Sequence, residues 1–192
     1  MKPRVAIACQ GGGSQTAFTA GVFKALAENN VQDRFNIVSI SGTSGGAICG
    51  FMLWYALKKG EKPVWKRLFD FWDDNTVKNT RERLFNDYAI SALRLMGDGF
   101  IPQYNLSPSS PLMKLSLRFS SFGIRREFTD LGALLDAHVD FRELASWGRQ
   151  PEPPVLILGA CNVLTGRLHK FSSYLEPIRL EHLLASACVP TI

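Results

Sequence analysis

Apolar residues fall in two different rhythms along this chain. Val5-Ala-Ile-Ala-Cys9 is a short unbroken apolar run bounded by Pro3 and by three glycines, the pattern of a fully buried strand. From Ala17 to Ala27 the period lengthens, with Phe18, Val22, Ala25 and Leu26 at helical spacing and Asn29-Asn30 as a stop. The same succession then repeats. Phe35 to Ile40, rich in β-branched residues, predicts a second buried strand, and Ile48 to Leu57 a second helix that ends near Gly60. Two consecutive strand–loop–helix units predict a wound α/β domain with parallel strands, in which ligands lie off the carboxyl ends of the strands.

The pattern changes between residues 61 and 150. Trp65, Leu68, Phe69 and Trp72 make one helical stripe, and Leu84, Phe85, Tyr88, Ala92 and Leu95 another, with charges opposite. A Pro/Ser-rich connection from Ile101 to Pro111 follows, then helices are predicted near Leu112 to Phe119, from Thr129 to Ala137 and from Phe141 to Trp147. Residues 61–150 are expected to be a helical insertion within one domain spanning 1–192. Pro151-Glu-Pro-Pro154 marks a return to strands: Val155 to Cys161, a turn at Thr165-Gly166, and Arg167 to Ser172 predict a hairpin. A last helix, Arg179 to Ala187, leads into Pro190.

Composition narrows the class. At 192 residues, with 46% hydrophobic and 20% charged residues, the chain has the make-up of one globular domain and excludes disordered, collagen-like and disulfide-scaffold architectures. The longest apolar stretch, Ala47 to Leu57, is interrupted by Gly50 and stops at Lys58-Lys59, well short of the ~20 apolar residues a membrane span needs. The amino-terminal apolar run is too short for a signal peptide, so an unprocessed cytoplasmic chain is expected. A net charge of +5 with no long basic run gives no reason to expect nucleic acid as a partner. Cys9, Cys49, Cys161 and Cys188 sit among apolar or small residues without C-x-x-C spacing or a nearby histidine. They are expected to be buried thiols, with no metal site and no cofactor.

Two glycine-rich turns carry the candidate chemistry. Gly42-Thr43-Ser44-Gly45-Gly46 is a G-x-S-x-G between a predicted strand and a predicted helix, the setting in which a sharp turn projects the serine hydroxyl at the helix amino terminus. That terminus favours developing negative charge. The plainer alternative is a strand-to-helix turn whose serine caps the helix. Gly11-Gly12-Gly13-Ser14 follows the first strand directly. Its backbone N–H groups could stabilise the oxyanion of an acyl-transfer transition state, where losing one donor typically costs ~3 kcal/mol. The same glycines could cradle phosphate or form a structural turn. A dinucleotide fingerprint, however, would place glycine where Thr16 stands and an acid where Ser39-Ile40-Ser41 runs, and there is no P-loop lysine. In a parallel sheet both loops open on one side, which places a nucleophile beside an anion hole.

At these residues the chain resembles the patatin-like phospholipase family. The stretches that carry the resemblance are Cys9-Gln-Gly-Gly-Gly-Ser14 with Gly21 behind it, Ser41-Gly-Thr-Ser-Gly-Gly46, and Ala185-Ser-Ala-Cys-Val-Pro-Thr-Ile192, similar to the family's small-residue helix ending in proline. The resemblance implies a three-layer α/β/α sandwich with a mostly parallel central sheet. It also implies a Ser-Asp dyad that hydrolyses acyl esters of lipids without histidine or metal. By that resemblance Ser44 is the nucleophile, Gly42, Thr43, Gly45 and Gly46 shape its elbow, and Gly11, Gly12 and Gly13 supply the anion hole. The implied partner is a lipid or acyl-ester substrate; a peripheral membrane surface is a further candidate partner, on the aromatic and basic residues named below.

The sequence departs from the family in two places. Gln15 and Thr16 stand where the family commonly has a basic residue and a further glycine. The family's aspartate lies in an Asp-Gly turn beyond the proline motif, whereas Asp98-Gly99 is the sole Asp-Gly pair here and precedes the hairpin. It reads as a helix-ending turn, and the expectation is that the base lies beyond Ile192 and that these 192 residues alone are inactive. A Ser-His-Asp arrangement is the competing chemistry, since His138, His169 and His182 all follow the serine. None sits in a recognisable catalytic loop. Trp54, Trp65, Phe69 and Trp72 with Lys58, Lys59, Lys62, Lys66 and Arg67 could form a lipid-docking surface, although helices that cover a sheet need the same stripes. A lipid-binding or regulatory module of the same fold without turnover is the alternative of a different functional class.

Overall fold

The computed structural model describes residues 2–100 and 123–188. The elements are β1 (Arg4–Cys9), α1 (Ala17–Glu28), α2 (Val31–Arg34), β2 (Asn36–Thr43), α3 (Gly45–Lys59), α4 (Lys66–Asp74), α5 (Thr80–Gly97), α6 (Arg126–Thr129), α7 (Leu131–His138), α8 (Phe141–Ser146), β3 (Val155–Asn162), β4 (Arg167–Ser172) and α9 (Leu180–Ala187). The strands form a sheet in the order β1-β2-β3-β4. Strands β1, β2 and β3 are parallel, with Cys9 opposite Gly42 and Thr43 opposite Gly159. β4 returns antiparallel, with Gly159 opposite Lys170. The fold is therefore the expected mixed α/β, with a mostly parallel sheet flanked by helices.

The described residues divide into two compact units, one of residues 2–72 and 135–188, the other of residues 73–100 and 123–134. The first unit holds the sheet, and its core is centred on α3. Every residue of that helix from Gly45 to Ala56 is buried, which its sequence allows because it is apolar on all sides until Lys58. Trp54 and Phe51 are fully enclosed, and Trp54 Nε1 donates to the carbonyl of Pro154 at 2.8 Å. The Trp54–Trp72 aromatics thus serve packing: Trp65 and Phe69 meet edge to face at 5.1 Å, with the Lys24 ammonium over both rings. Lys59, Lys66 and Arg67 are paired with Glu143, Asp70 and Glu61.

In the second unit the buried feature is polar. Glu82 on α5 is fully buried and accepts from Arg125 Nε at 2.7 Å and Nη2 at 3.1 Å, and from the N–H of Lys78 at 2.7 Å. The apolar stripe expected on α5 is largely open to solvent, with Leu84 65% and Tyr88 70% exposed.

Several boundaries differ from the sequence pattern for identifiable reasons. β2 runs on through Ser41 and Gly42, residues of weak strand preference, because β1 and β3 pair with them from both sides, and it ends at Thr43, which pairs with Gly159 of β3. α3 begins at Gly45, ahead of Ile48, because its opening glycines carry no apolar signal. The helix predicted from Thr129 to Ala137 is broken at Asp130, whose carboxylate accepts from the N–H groups of Gly132 at 2.9 Å and Ala133 at 3.2 Å. It is thereby spent as an N-cap. Cys9 and Cys49 are buried as expected, but Cys161 and Cys188 are exposed. Cys161 lies near the end of β3 and Cys188 just past α9, beyond the packed part of each element. The connection at 101–111, the helix predicted at 112–119 and the proline motif from 189 lie outside the described residues. Among the described residues no helix is long and apolar enough to cross a membrane, and no side-chain cluster could hold a metal ion.

Candidate active site

The strand-to-helix turn at Ser44 is a sharp, strained elbow. Ser44 has φ 57° and ψ −132°, a backbone conformation that costs a non-glycine residue about 1–3 kcal/mol and persists where the surroundings enforce it. Its carbonyl accepts from the N–H groups of Ala47 at 2.8 Å and Ile48 at 3.3 Å, while its side chain makes no cap to the helix. The hydroxyl is therefore not spent on capping, which removes the plain reading of this serine. It stands at the amino terminus of a fifteen-residue helix, where the first N–H groups lack intrahelical partners and favour negative charge.

The glycines around Ser44 are required by close approach. A Cβ on Gly42 would stand 2.7 Å from the nitrogen of Ala47, one on Gly46 2.6 Å from the carbonyl oxygen of Gln10, and one on Gly45 2.7 Å from that of Gly13. The elbow thus packs against itself, against the end of β1 and against the glycine loop. Thr43 Oγ1 would similarly meet a Cβ on Gly159 at 2.6 Å, which accounts for a glycine in the middle of β3.

The glycine loop lies directly over the elbow. A Cβ on Gly11 would come within 2.8 Å of the carbonyl oxygen of Thr43 and 3.3 Å of Ser44 Cβ. Gly13 takes φ +55° and opens a short 3-10 turn, Gly13–Thr16. The hydroxyl of the buried Thr16 donates to the Gly13 carbonyl at 2.6 Å, and the Cys49 thiol donates to the Thr16 carbonyl at 3.3 Å. Thr16 therefore pins the loop to α3, which gives this departure from the family pattern a structural role. Among the described residues the N–H groups of Gly11, Gly12 and Gly13 donate no hydrogen bond. Gly11, the first residue of this loop, thus packs beside a Ser44 whose hydroxyl makes no cap to the helix.

One residue of the site was not singled out in the sequence. The N–H of Ser44 donates to Ser186 Oγ at 3.0 Å, and the Ser186 hydroxyl donates to the carbonyl of Gly159 at 2.6 Å. The small-residue run Ala185-Ser-Ala187 contained the signal, but a serine in such a run has no spacing that points to the elbow.

The remaining candidates are occupied elsewhere. His182 is stacked on Phe171 at 4.2 Å and its basicity is lowered by burial. His169 meets the same ring at 4.7 Å, and His138 lies edge-on to Phe71 at 5.8 Å. Burial, then the neighbouring Cys49, pushes the Cys9 thiol up to about 12, so it is no rival nucleophile at neutral pH. Asp98-Gly99 is a helix-ending turn: Gly99 has φ +78° and the N–H of Phe100 bonds back to Leu95 at 2.9 Å. A cleft of about 650 Å³ beside Tyr55, Lys59 and Arg67, and an apolar groove of about 210 Å³ beside Leu53 and Leu57, both flank the far half of α3 from Ser44.

A family model described as patatin-like phospholipase matches residues 7–192, and the chain belongs to that family. No curated protein matches the chain. Among solved structures, a chain in the crystal structure of full-length SpcU in complex with full-length ExoU, from the type III secretion system of Pseudomonas aeruginosa, is similar at 16% identity with a TM-score of 0.37. That match covers 100% of this chain and 40% of the other, so this chain spans less than half of that chain's length.

Proposed function

We propose that this chain carries the nucleophile and the anion-binding loop of a lipid acyl hydrolase, with Ser44 as nucleophile and Gly11, Gly12 and Gly13 as the oxyanion hole. The observation that carries the reading is the Ser44 elbow, whose strained serine leaves its hydroxyl unspent on the helix and lies against the glycine loop. Membership of the patatin-like phospholipase family supports an acyl ester of a lipid as the substrate.

In this mechanism Ser44 Oγ attacks the ester carbonyl while its proton passes to a carboxylate base. By the family's pattern that base is an aspartate, and the reading assigns it to no described residue. The carbonyl oxygen becomes an oxyanion held by the loop N–H groups and by the positive end of α3. Collapse breaks the bond to the alcohol, which leaves with the proton. Water then attacks the acyl-serine with the carboxylate again taking a proton; the bond to Ser44 Oγ breaks, the proton returns to that oxygen, and the fatty acid is released. Docking at a membrane surface would bring the substrate to the carboxyl ends of the parallel strands, where both loops lie.

The test is hydrolysis of a chromogenic short-chain ester by the full-length protein. Ser44→Ala is expected to lower kcat by about a thousandfold or more, as loss of a nucleophile does. Activity that survives Ser44→Ala contradicts the reading. So does an inactive wild-type protein, which would favour a lipid-binding module of the same fold.

A further inference from the structure

The ladder between β2 and β3 ends at the pair Thr43 and Gly159. One residue later the chain turns at Ser44, and its N–H no longer meets a carbonyl of β3. Ser186 fills that gap from α9. It accepts from the Ser44 N–H at 3.0 Å and donates to the Gly159 carbonyl at 2.6 Å, so the hydroxyl stands where a direct ladder bond would have been. Accepting one bond and donating the other fixes its rotor. A helical serine more commonly bonds back to a carbonyl of its own helix, but this hydroxyl reaches across to another element instead.

The helix that presents it is well anchored. Leu183 is fully buried and His182, one turn before Ser186, is stacked on Phe171 of β4. Ser186 and Ser44 are 142 residues apart in sequence, so the contact exists only when α9 is docked on the sheet. Ser44 itself is in a positive-φ conformation that relaxes unless its neighbours hold it.

We infer that Ser186 is a positioning residue for Ser44: its hydroxyl ties the nucleophile's amide to β3, holds the strained elbow, and thereby aims Oγ of Ser44 at the carbon beneath the glycine loop. The inference rests on the reading of Ser44 as a nucleophile. Without the hydroxyl, the Ser44 N–H and the Gly159 carbonyl both lose their partner, and the elbow is free to turn. A displacement of about 1 Å at a reacting atom costs on the order of a hundredfold in rate.

The experiment compares wild type, Ser186→Ala, Ser186→Thr and Ser44→Ala in the full-length protein, by kcat and KM for ester hydrolysis and by thermal midpoint. Ser186→Ala is expected to lower kcat about 10- to 100-fold with KM within about twofold, and to remain folded at the assay temperature. Ser186→Thr, which keeps the hydroxyl, is expected to recover most of kcat. The inference is overturned if folded Ser186→Ala keeps wild-type kcat, if Ser186→Thr is no better than Ser186→Ala, or if KM rises while kcat stays. Should Ser186→Ala unfold, Ser186→Cys is the second variant: it fills the same space with a weak hydrogen-bonding group. Unfolding of that variant too makes Ser186 a fold determinant and overturns the positioning role. A wild-type protein without Ser44-dependent turnover sinks the hydrolase reading, a separate outcome.

Discussion

Gly11 and Ser44 are packed so tightly that a Cβ on the first would lie 3.3 Å from the Cβ of the second and 2.8 Å from the carbonyl oxygen of Thr43. Gly11→Ala must therefore push the loop and the elbow apart by a few tenths of an ångström. The expected result is a fall in kcat of about 100-fold, the scale of losing one oxyanion donor, with a smaller effect on KM. Steady-state kinetics on the purified variant measure it. An alanine variant with wild-type kcat would show that the loop and the elbow need not touch.

The Glu82–Arg125 pair makes a prediction about acid stability. Hydrogen bonds from Arg125 chiefly, and from the Lys78 N–H, outweigh burial and hold the Glu82 carboxyl at about 2, against 4.5 when unperturbed. A depressed folded-state value stabilises the fold above the unfolded value, and that contribution is lost as pH falls from about 4.5 through about 2. Glu82→Gln leaves the part-exposed Arg125 facing a neutral amide and is expected to cost about 1–3 kcal/mol at pH 7. Urea unfolding from pH 7 to pH 2 should show the gap between wild type and variant closing as pH drops. A gap that is constant with pH contradicts the ion pair.

Thiol reactivity separates the cysteines. Cys9 and Cys49 are buried and their thiols are held protonated by that burial, whereas Cys161 is exposed. A brief pulse of iodoacetamide on the native protein should label Cys161 and spare the other two, because the thiolate is the reactive form. Mass spectrometry of the peptides reads the outcome. Labelling of Cys9 at the rate of Cys161 would mean that the floor of the elbow opens in solution.

Much of the fold was legible in the sequence because it is written in local signals. The apolar run ending at Cys9 and the glycines after it placed β1 and the loop, and the G-x-S-x-G placed the elbow to the residue. What escaped depends on partners far away in the chain. Nothing in Ser41-Gly42 announces a strand until β1 and β3 pair with it. Ser186 looks like any helical serine until α9 docks. Asp130 reads as one more helical residue until its carboxylate is seen to cap α7. The exposure of Cys161 was missed because the residues around it are apolar or small, while its burial is decided by how far the packed part of β3 extends.

The central claim is that Ser44 is a nucleophile. The most direct measurement is covalent capture with a fluorophosphonate ester, which reacts fastest with an activated serine hydroxyl and mimics the tetrahedral intermediate. Incubated with the full-length protein, it is expected to add one phosphonyl group to the peptide containing Ser44, and the adduct is expected to vanish in Ser44→Ala. An adduct on another serine, or none on a protein that turns over ester, would contradict the claim.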